Sequence, residues 1–214
     1  MSFLSLKTQA QISPENKLGT WYMFNATHKL SNSVKLITNA HVRYFELASE
    51  YQQEIYRLGL NYTFNKTVNL TLGTVYSITD SSYKENLPDL YEYRFYQDIN
   101  INDKWAGFLL KHRVRLAQRF RRQNFENKTT HRIRYGLFLR YPISKKLTTY
   151  AFNEIFIKFA TKSFGQNRTG FGFIQKLSKQ LKLKLGYMHT LFSNTKSHRV
   201  QLGIILNTNH IKQK

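Results

Sequence analysis

The chain has 214 residues, and its 33 Lys plus Arg against 12 Asp plus Glu give a formal charge of +21. The absence of cysteine excludes disulfide scaffolds, thiolate zinc sites and iron–sulfur clusters. No apolar stretch approaches the ~18 residues that a spanning helix needs, which excludes helical membrane proteins, and 16 Phe with 14 Tyr are too many for a disordered basic tail.

The N-terminus predicts a leader or a disordered segment. Thr8 and Ala10 stand two residues apart after the short apolar stretch 3–6, as at the end of a secretory signal peptide. We interpret residues 1–12 as the remnant of a signal peptide or as a disordered N-terminus. The length of the remainder suits one domain, so we expect residues 13–214 to form a single barrel domain.

Alternation of apolar with polar or glycine residues is the dominant pattern of the chain. It is clearest at Leu181, Leu183, Leu185 and Tyr187, because only a strand places such alternate residues on one face. We find no convincing helix, and the fold class is therefore all-β. The eleven candidate strands lie near residues 19–30, 34–44, 56–64, 68–77, 91–99, 108–116, 132–141, 147–159, 168–177, 181–191 and 199–206.

Strand length and connections favour a transmembrane barrel. Several candidates exceed the ~5–6 residues of soluble strands and match the 9–11 of tilted membrane strands. Short breaks alternate with longer polar connections, the clearest being 79–89 and 121–130, as in an up-and-down antiparallel barrel. Single-chain bacterial barrels have even strand numbers, so we expect ten or twelve strands, with the error in the count near the N-terminus.

The orientation of the two faces separates a membrane barrel from a soluble one. A closed barrel of this size with apolar residues inside would enclose a cavity too wide for them to fill. With the apolar face outward, the same residues contact lipid, and the charged face lines the lumen beside recurrent glycines. The sequence therefore favours an outer-membrane barrel over a soluble basic all-β protein that binds nucleic acid or another polyanion.

The charged face predicts the residues of the lumen. We expect a basic cluster there, with three acidic partners that offset part of its charge. A polar group in the wall is predicted from the strand that carries Asn153 and its neighbour, which carries Gln166 and Arg168. The basic cluster is Arg94, Arg113, Arg115, Arg132, Arg134 and Arg140, and its acidic partners are Glu92, Asp98 and Glu154.

Several motifs resemble an uncharacterised family of Gram-negative outer-membrane β-barrels, known only as a domain of unknown function. They are EYRFYQD from Glu92, RVRLAQRF from Arg113, HRIRYGLFLRYP from His131 and NEIFIKF from Asn153, followed by Gln166-Asn167-Arg168 and Leu183 to Met188. The resemblance covers nearly the whole chain from Trp21. It implies the barrel fold and the outer membrane, and no catalytic residues.

The functional expectation is an outer-membrane barrel that has a structural role or forms a narrow channel for small solutes, including anions. An outer-membrane enzyme acting on lipid is a further alternative, although no catalytic motif is present and the seven His show no metal-ligand spacing. We expect no cofactor. The expected partners are outer-membrane lipids, lipopolysaccharide and, through the final stretch 201–206, the barrel assembly machinery.

Overall fold

The long alternating segments form a single closed sheet in the computed structural model, which describes residues 17–80, 83, 87–159 and 163–211. Within these residues there are eleven strands. Their bounds are β1 Leu18–Lys29, β2 Val34–Tyr44, β3 Tyr51–Thr63, β4 Val68–Thr79, β5 Leu90–Trp105, β6 Phe108–Gln123, β7 Glu126–Pro142, β8 Leu147–Lys158, β9 Ser163–Lys176, β10 Leu181–Leu191 and β11 Lys196–Asn209.

Each strand pairs antiparallel with the next one in sequence, and the barrel closes through a parallel pair between β1 and β11. Phe24 is thereby the register partner of Ile204. The described strands number eleven, so the adjustment to ten or twelve was wrong. Its premise fails because an odd count is allowed when first and last strands run in the same direction. The described strands close the barrel with no strand added or removed near the N-terminus, whereas the interpretation of residues 1–12 lies outside the described residues.

The connections define two rims. The turn rim carries residues 30–33, 64–67, 106–107, 143–146 and 177–180, and the loop rim carries 45–50, 80, 83, 87–89, 124–125, 159 and 192–195. The long loop predicted for 121–130 was wrong: β6 and β7 continue through it and meet at a turn of Asn124 and Phe125. The β6–β7 hairpin therefore has longer strands than most of the barrel.

Apolar side chains face outward and charged side chains face the lumen, as expected for a membrane barrel. Leu60 retains 52% exposure on the outer face, whereas Arg115 retains 3% inside. Aromatic rings cluster on the outer face next to the turn rim, where Tyr62 and Phe64 lie 4.9 Å apart between ring centroids and Phe108 and Tyr141 lie 5.0 Å apart. Among the described residues, no helix has the length and apolar character needed to cross a membrane.

Glycines on the inner face make room for large aromatic rings. A Cβ on Gly73 would lie 2.6 Å from the hydroxyl of Tyr96, and one on Gly172 would lie 2.8 Å from that of Tyr150. The interior also holds a cluster of Trp21, Tyr150, Phe152, Ile174 and Met188. The lumen is thus crowded at these levels, as the recurrence of glycine on the charged face indicated.

Candidate functional site in the barrel lumen

Alternation along β5 to β8 places the whole predicted basic cluster on the inner face. Arg94, Arg113, Arg115, Arg132 and Arg134 project into the closed part of the barrel. Arg140 lies on the same face of β7 at the turn rim. There it lines a cleft of about 480 Å³ together with Lys111 and Phe138.

Asp98, the first acidic partner, forms a buried bidentate ion pair with Arg115. Asp98 and Arg115 are register partners on β5 and β6, and the guanidinium donates from Nε and Nη2 to the two carboxylate oxygens. Such paired hydrogen bonds fix the plane of the guanidinium as well as its charge. The face of the same guanidinium lies over Tyr96, with Cζ 4.2 Å from the ring centroid.

Glu92 accepts hydrogen bonds from two guanidinium groups towards the loop rim. Arg94 Nε donates to Glu92 Oε1 over 2.8 Å, and Arg119 Nε donates to the same oxygen over 2.8 Å. Arg119 was not among the predicted lumen residues, although it shares the inner face of β6 with Arg115. One carboxylate therefore offsets two cations.

Glu154 is the third acidic partner and lies on β8. It pairs with Arg113 and lies 3.5 Å from Arg134, measured from Oε1 to Nη1. Its side chain is buried, so both cations neutralise it away from water. The three carboxylates predicted for the lumen are thus all engaged by arginines.

The predicted polar wall group divides between the two faces. Arg168 is the register partner of Glu154 and faces inward, where its guanidinium donates to the amide oxygen of Gln166 over 3.0 Å in the amide orientation that satisfies both groups. Asn153 does not join them. Because it neighbours Glu154 in the strand, its side chain points outward, where it donates to Thr169 Oγ1 over 2.8 Å and to Asn167 Oδ1 over 2.9 Å.

Aromatic rings contact several lumen cations, and one of these, Arg43, was not among the predicted residues. Arg43 lies over Trp21 with Cζ 3.6 Å from the ring centroid, and Arg168 lies 5.0 Å from the same centroid. Phe156 is bordered by Arg132, Arg134 and Arg168 at 4.7–4.9 Å. Cation–π contacts of this kind attract the guanidinium without neutralising it.

Positive charge therefore exceeds negative charge in the described lumen. Several guanidinium nitrogens there are buried without a hydrogen-bond partner among the described residues, including Nε of Arg43, Arg57 and Arg134. Glu92, Asp98 and Glu154 face a larger set of cations: Arg43, Arg57, Arg94, Lys111, Arg113, Arg115, Arg119, Arg132, Arg134, Arg140, Arg168, Lys184 and Arg199.

Solved structures with a similar fold are outer-membrane barrels. The KdgM porin in complex with disordered oligogalacturonate is 15% identical, with a TM-score of 0.51 over 86% of this chain and 95% of that chain. LpxR from Salmonella typhimurium is 9% identical, with a TM-score of 0.48 over 81% and 83%. An anion-selective porin from Comamonas acidovorans is 14% identical, with a TM-score of 0.38 over 83% and 55%.

No curated protein matches the chain. The model of a family described as a protein of unknown function, DUF2490, matches residues 18–201. This match spans all of β1 to β10 and enters β11, and it agrees with the resemblance that the motifs indicated. The chain is therefore a member of the DUF2490 family of proteins of unknown function.

Proposed function

We propose that the protein is an outer-membrane β-barrel whose basic lumen forms a narrow passage for small anions. The observation that carries this proposal is the excess of arginine and lysine over the three carboxylates inside the barrel. Buried charges of one sign raise the free energy of the empty lumen, and a small anion lowers it by accepting hydrogen bonds from free guanidinium nitrogens.

The outer surface supports the membrane location. Leucine, isoleucine and aromatic side chains cover the outside of the closed sheet. Each described strand is paired on both edges, so no backbone edge is left open, as a lipid environment requires. Most arginines of β6 and β7, which a nucleic-acid-binding protein would expose, lie inside the barrel, among them Arg113, Arg115 and Arg134. The shared fold with the KdgM porin agrees with a barrel that admits solutes.

Crowding inside the barrel limits the size of the solute. Tyr96, Phe156 and Met188 are almost fully buried at the inner face, so the interior does not resemble the wide channel of a large porin. Chloride, phosphate and small carboxylates fit this description. The carboxylated oligosaccharide named with the KdgM porin makes a short uronate a reasonable larger probe.

The test is the reversal potential of the purified barrel in a planar bilayer under a KCl gradient. We expect the sign of the reversal potential to show that chloride permeates more readily than potassium. Changing both Arg43→Gln and Arg57→Gln should reduce this preference, because each removes a lumen cation whose Nε has no partner among the described residues. Lys145→Gln, on an exposed turn, is the matched control and should leave it unchanged.

Three outcomes would contradict the proposal in different ways. Potassium selectivity would show that the net lumen charge does not govern permeation. An inserted barrel without conductance would assign the arginines a structural role only. Recovery of the protein from the soluble fraction of cells, without a heat-modifiable band on electrophoresis, would overturn the membrane location itself.

A further inference from the structure

An aromatic cleft lies on the outer face near the loop rim, outside the lumen. It encloses about 830 Å³ between the end of β4, the start of β5 and the β6–β7 hairpin. Its two walls meet where Gln123 Nε2 donates to the carbonyl oxygen of Pro88 over 3.0 Å. We define the aromatic cleft by the residues whose rings or charges line it: Tyr76, Asp89, Tyr91, Tyr93, Phe120, Arg121, Arg122, Phe125 and Lys128.

The chemistry of the aromatic cleft changes in order from the rim towards the middle of the barrel. Arg122 and Tyr91 are register partners nearest the rim. Tyr93 and Phe120 form the next pair, and Tyr93 lies 4.9 Å from Tyr76 between ring centroids. Beyond them the same face continues with apolar residues, among which Leu116 and Ile99 are exposed. The order is cation, tyrosine, phenylalanine and aliphatic.

None of the described residues covers these rings on the outside. Tyr93 is 62% exposed and Phe125 is 86% exposed. Arg122 lies over Phe125 at 5.9 Å from Cζ to the ring centroid, so its guanidinium is held above the aromatic surface. Arg121 and Lys128 also line the cleft, whereas Asp89 is its one acidic lining residue among those described. The cleft is therefore positively charged next to the loop rim and apolar towards the middle of the barrel.

This order matches an amphiphile with a negative headgroup. Tyrosine rings favour the depth at which lipid headgroups meet acyl chains, and a guanidinium forms strong hydrogen bonds with phosphate oxygens. We propose that the aromatic cleft binds a phosphate-bearing anionic lipid, with the phosphate at Arg122 and an acyl chain along Tyr93 and Phe120. The inference rests on the membrane location proposed above and is independent of ion passage through the lumen.

The experiment uses native mass spectrometry of the full chain in a neutral detergent. The probes are phosphatidylglycerol and phosphatidylcholine with the same acyl chains, and inorganic phosphate at the same concentration. We expect the barrel to retain phosphatidylglycerol preferentially. Arg122→Ala should lower that retention about tenfold, as expected for one charge-assisted pair.

Two further variants separate the cleft from general surface charge. Phe125→Asn keeps a residue that tolerates the left-handed backbone of this turn and should weaken retention by removing the ring beneath Arg122. Lys196→Ala removes an exposed cation from the loop rim at β11, away from the cleft, and should have no effect.

Equal retention of both lipids, retention of inorganic phosphate without lipid, or equal losses in Arg122→Ala and Lys196→Ala would each overturn the assignment. Measuring the reversal potential of Arg122→Ala as well as its lipid retention separates a failure of the cleft proposal from a failure of the lumen proposal. If Arg122→Ala loses lipid retention but keeps the wild-type reversal potential, the result supports the cleft. If the wild-type protein retains the lipid but shows no chloride selectivity, only the lumen proposal fails.

Discussion

At the scale of single residues, glycines fix where the lumen rings lie. A Cβ on Gly186 would overlap the hydroxyl of Tyr150 and approach the carbonyl oxygen of Phe171 to 2.8 Å. The second neighbour is backbone and cannot rotate away. Gly203 is also on the inner face, but its Cβ would meet its nearest neighbour, the Cβ of Lys184, at 3.3 Å.

We therefore expect Gly186→Ala to lower the free energy of unfolding by about 1–3 kcal/mol through overpacking. Gly203→Ala should cost clearly less. Urea titrations in detergent, followed by the fraction of heat-modifiable band, measure both. Equal losses would show that close approach of the Tyr150 ring is not what selects glycine at position 186.

Glu154 is a carboxylate whose loss should destabilise the barrel. It is 6% exposed and faces both Arg113 and Arg134, so Glu154→Gln would keep the shape and leave two buried cations without their counter-charge. We expect a lower thermal midpoint in detergent and a loss of about 3 kcal/mol. Glu126→Gln, at the exposed start of β7, is the control. Unchanged melting of Glu154→Gln would mean that the pairs contribute little.

The sequence predicted the lumen residues well where one strand supplied several of them. Period two alone places Arg132, Arg134 and Arg140 on the inner face of β7. It could not show that Arg43 and Arg168, from β2 and β9, meet across Trp21, because that contact depends on barrel closure. The same alternation turns Asn153 away from Arg168, and the prediction of a wall group of Asn153, Gln166 and Arg168 overlooked this.

At the scale of strands, the β6–β7 hairpin differs from its prediction for a physical reason. Period two appears in sequence only where one face is apolar and the other polar. Above the barrel wall, both faces of residues 121–130 are largely exposed, so the strands continue without the pattern. Polar composition alone then resembles a loop.

The turn of this hairpin contains an unfavourable residue. Asn124 and Phe125 have φ values of 45° and 65°, as in the two-residue turns that suit hairpin twist, and the second position favours glycine. Phe125→Gly should therefore stabilise the isolated hairpin turn by about 1 kcal/mol. Hydrogen exchange of the amides near the tips of β6 and β7 should slow in this variant. Faster exchange would show that the exposed ring contributes more than the strained backbone costs.

At the scale of the whole molecule, the parallel closure is the feature that the sequence could not reveal. Nothing in the alternation of β1 or β11 indicates which strand lies beside it. The count of eleven was therefore changed to ten or twelve, because bacterial barrels usually have even strand numbers. The pairing places Phe24 beside Ile204, both on the outer face.

The absence of native cysteine makes this closure directly testable. Phe24→Cys combined with Ile204→Cys should form a disulfide under mild oxidation, because paired positions bring Cα atoms within the usual ~4.4–6.8 Å. The product should stay circular in denaturant and migrate differently after reduction. Phe24→Cys with Leu183→Cys, which lies one strand further along the sheet, should not cross-link. An efficient disulfide in that control, with none in the first variant, would exclude the pairing of β1 with β11.

The odd number of described strands also separates the ends of the barrel wall. β1 starts at the loop rim and β11 ends at the turn rim. If the turn rim faces the side from which the barrel inserts, the leading end of β1 crosses the membrane as a single strand rather than as one arm of a hairpin. A compact domain fused ahead of residue 18 would then have to cross the membrane unfolded, whereas one fused after residue 209 would stay on the side from which the barrel inserts.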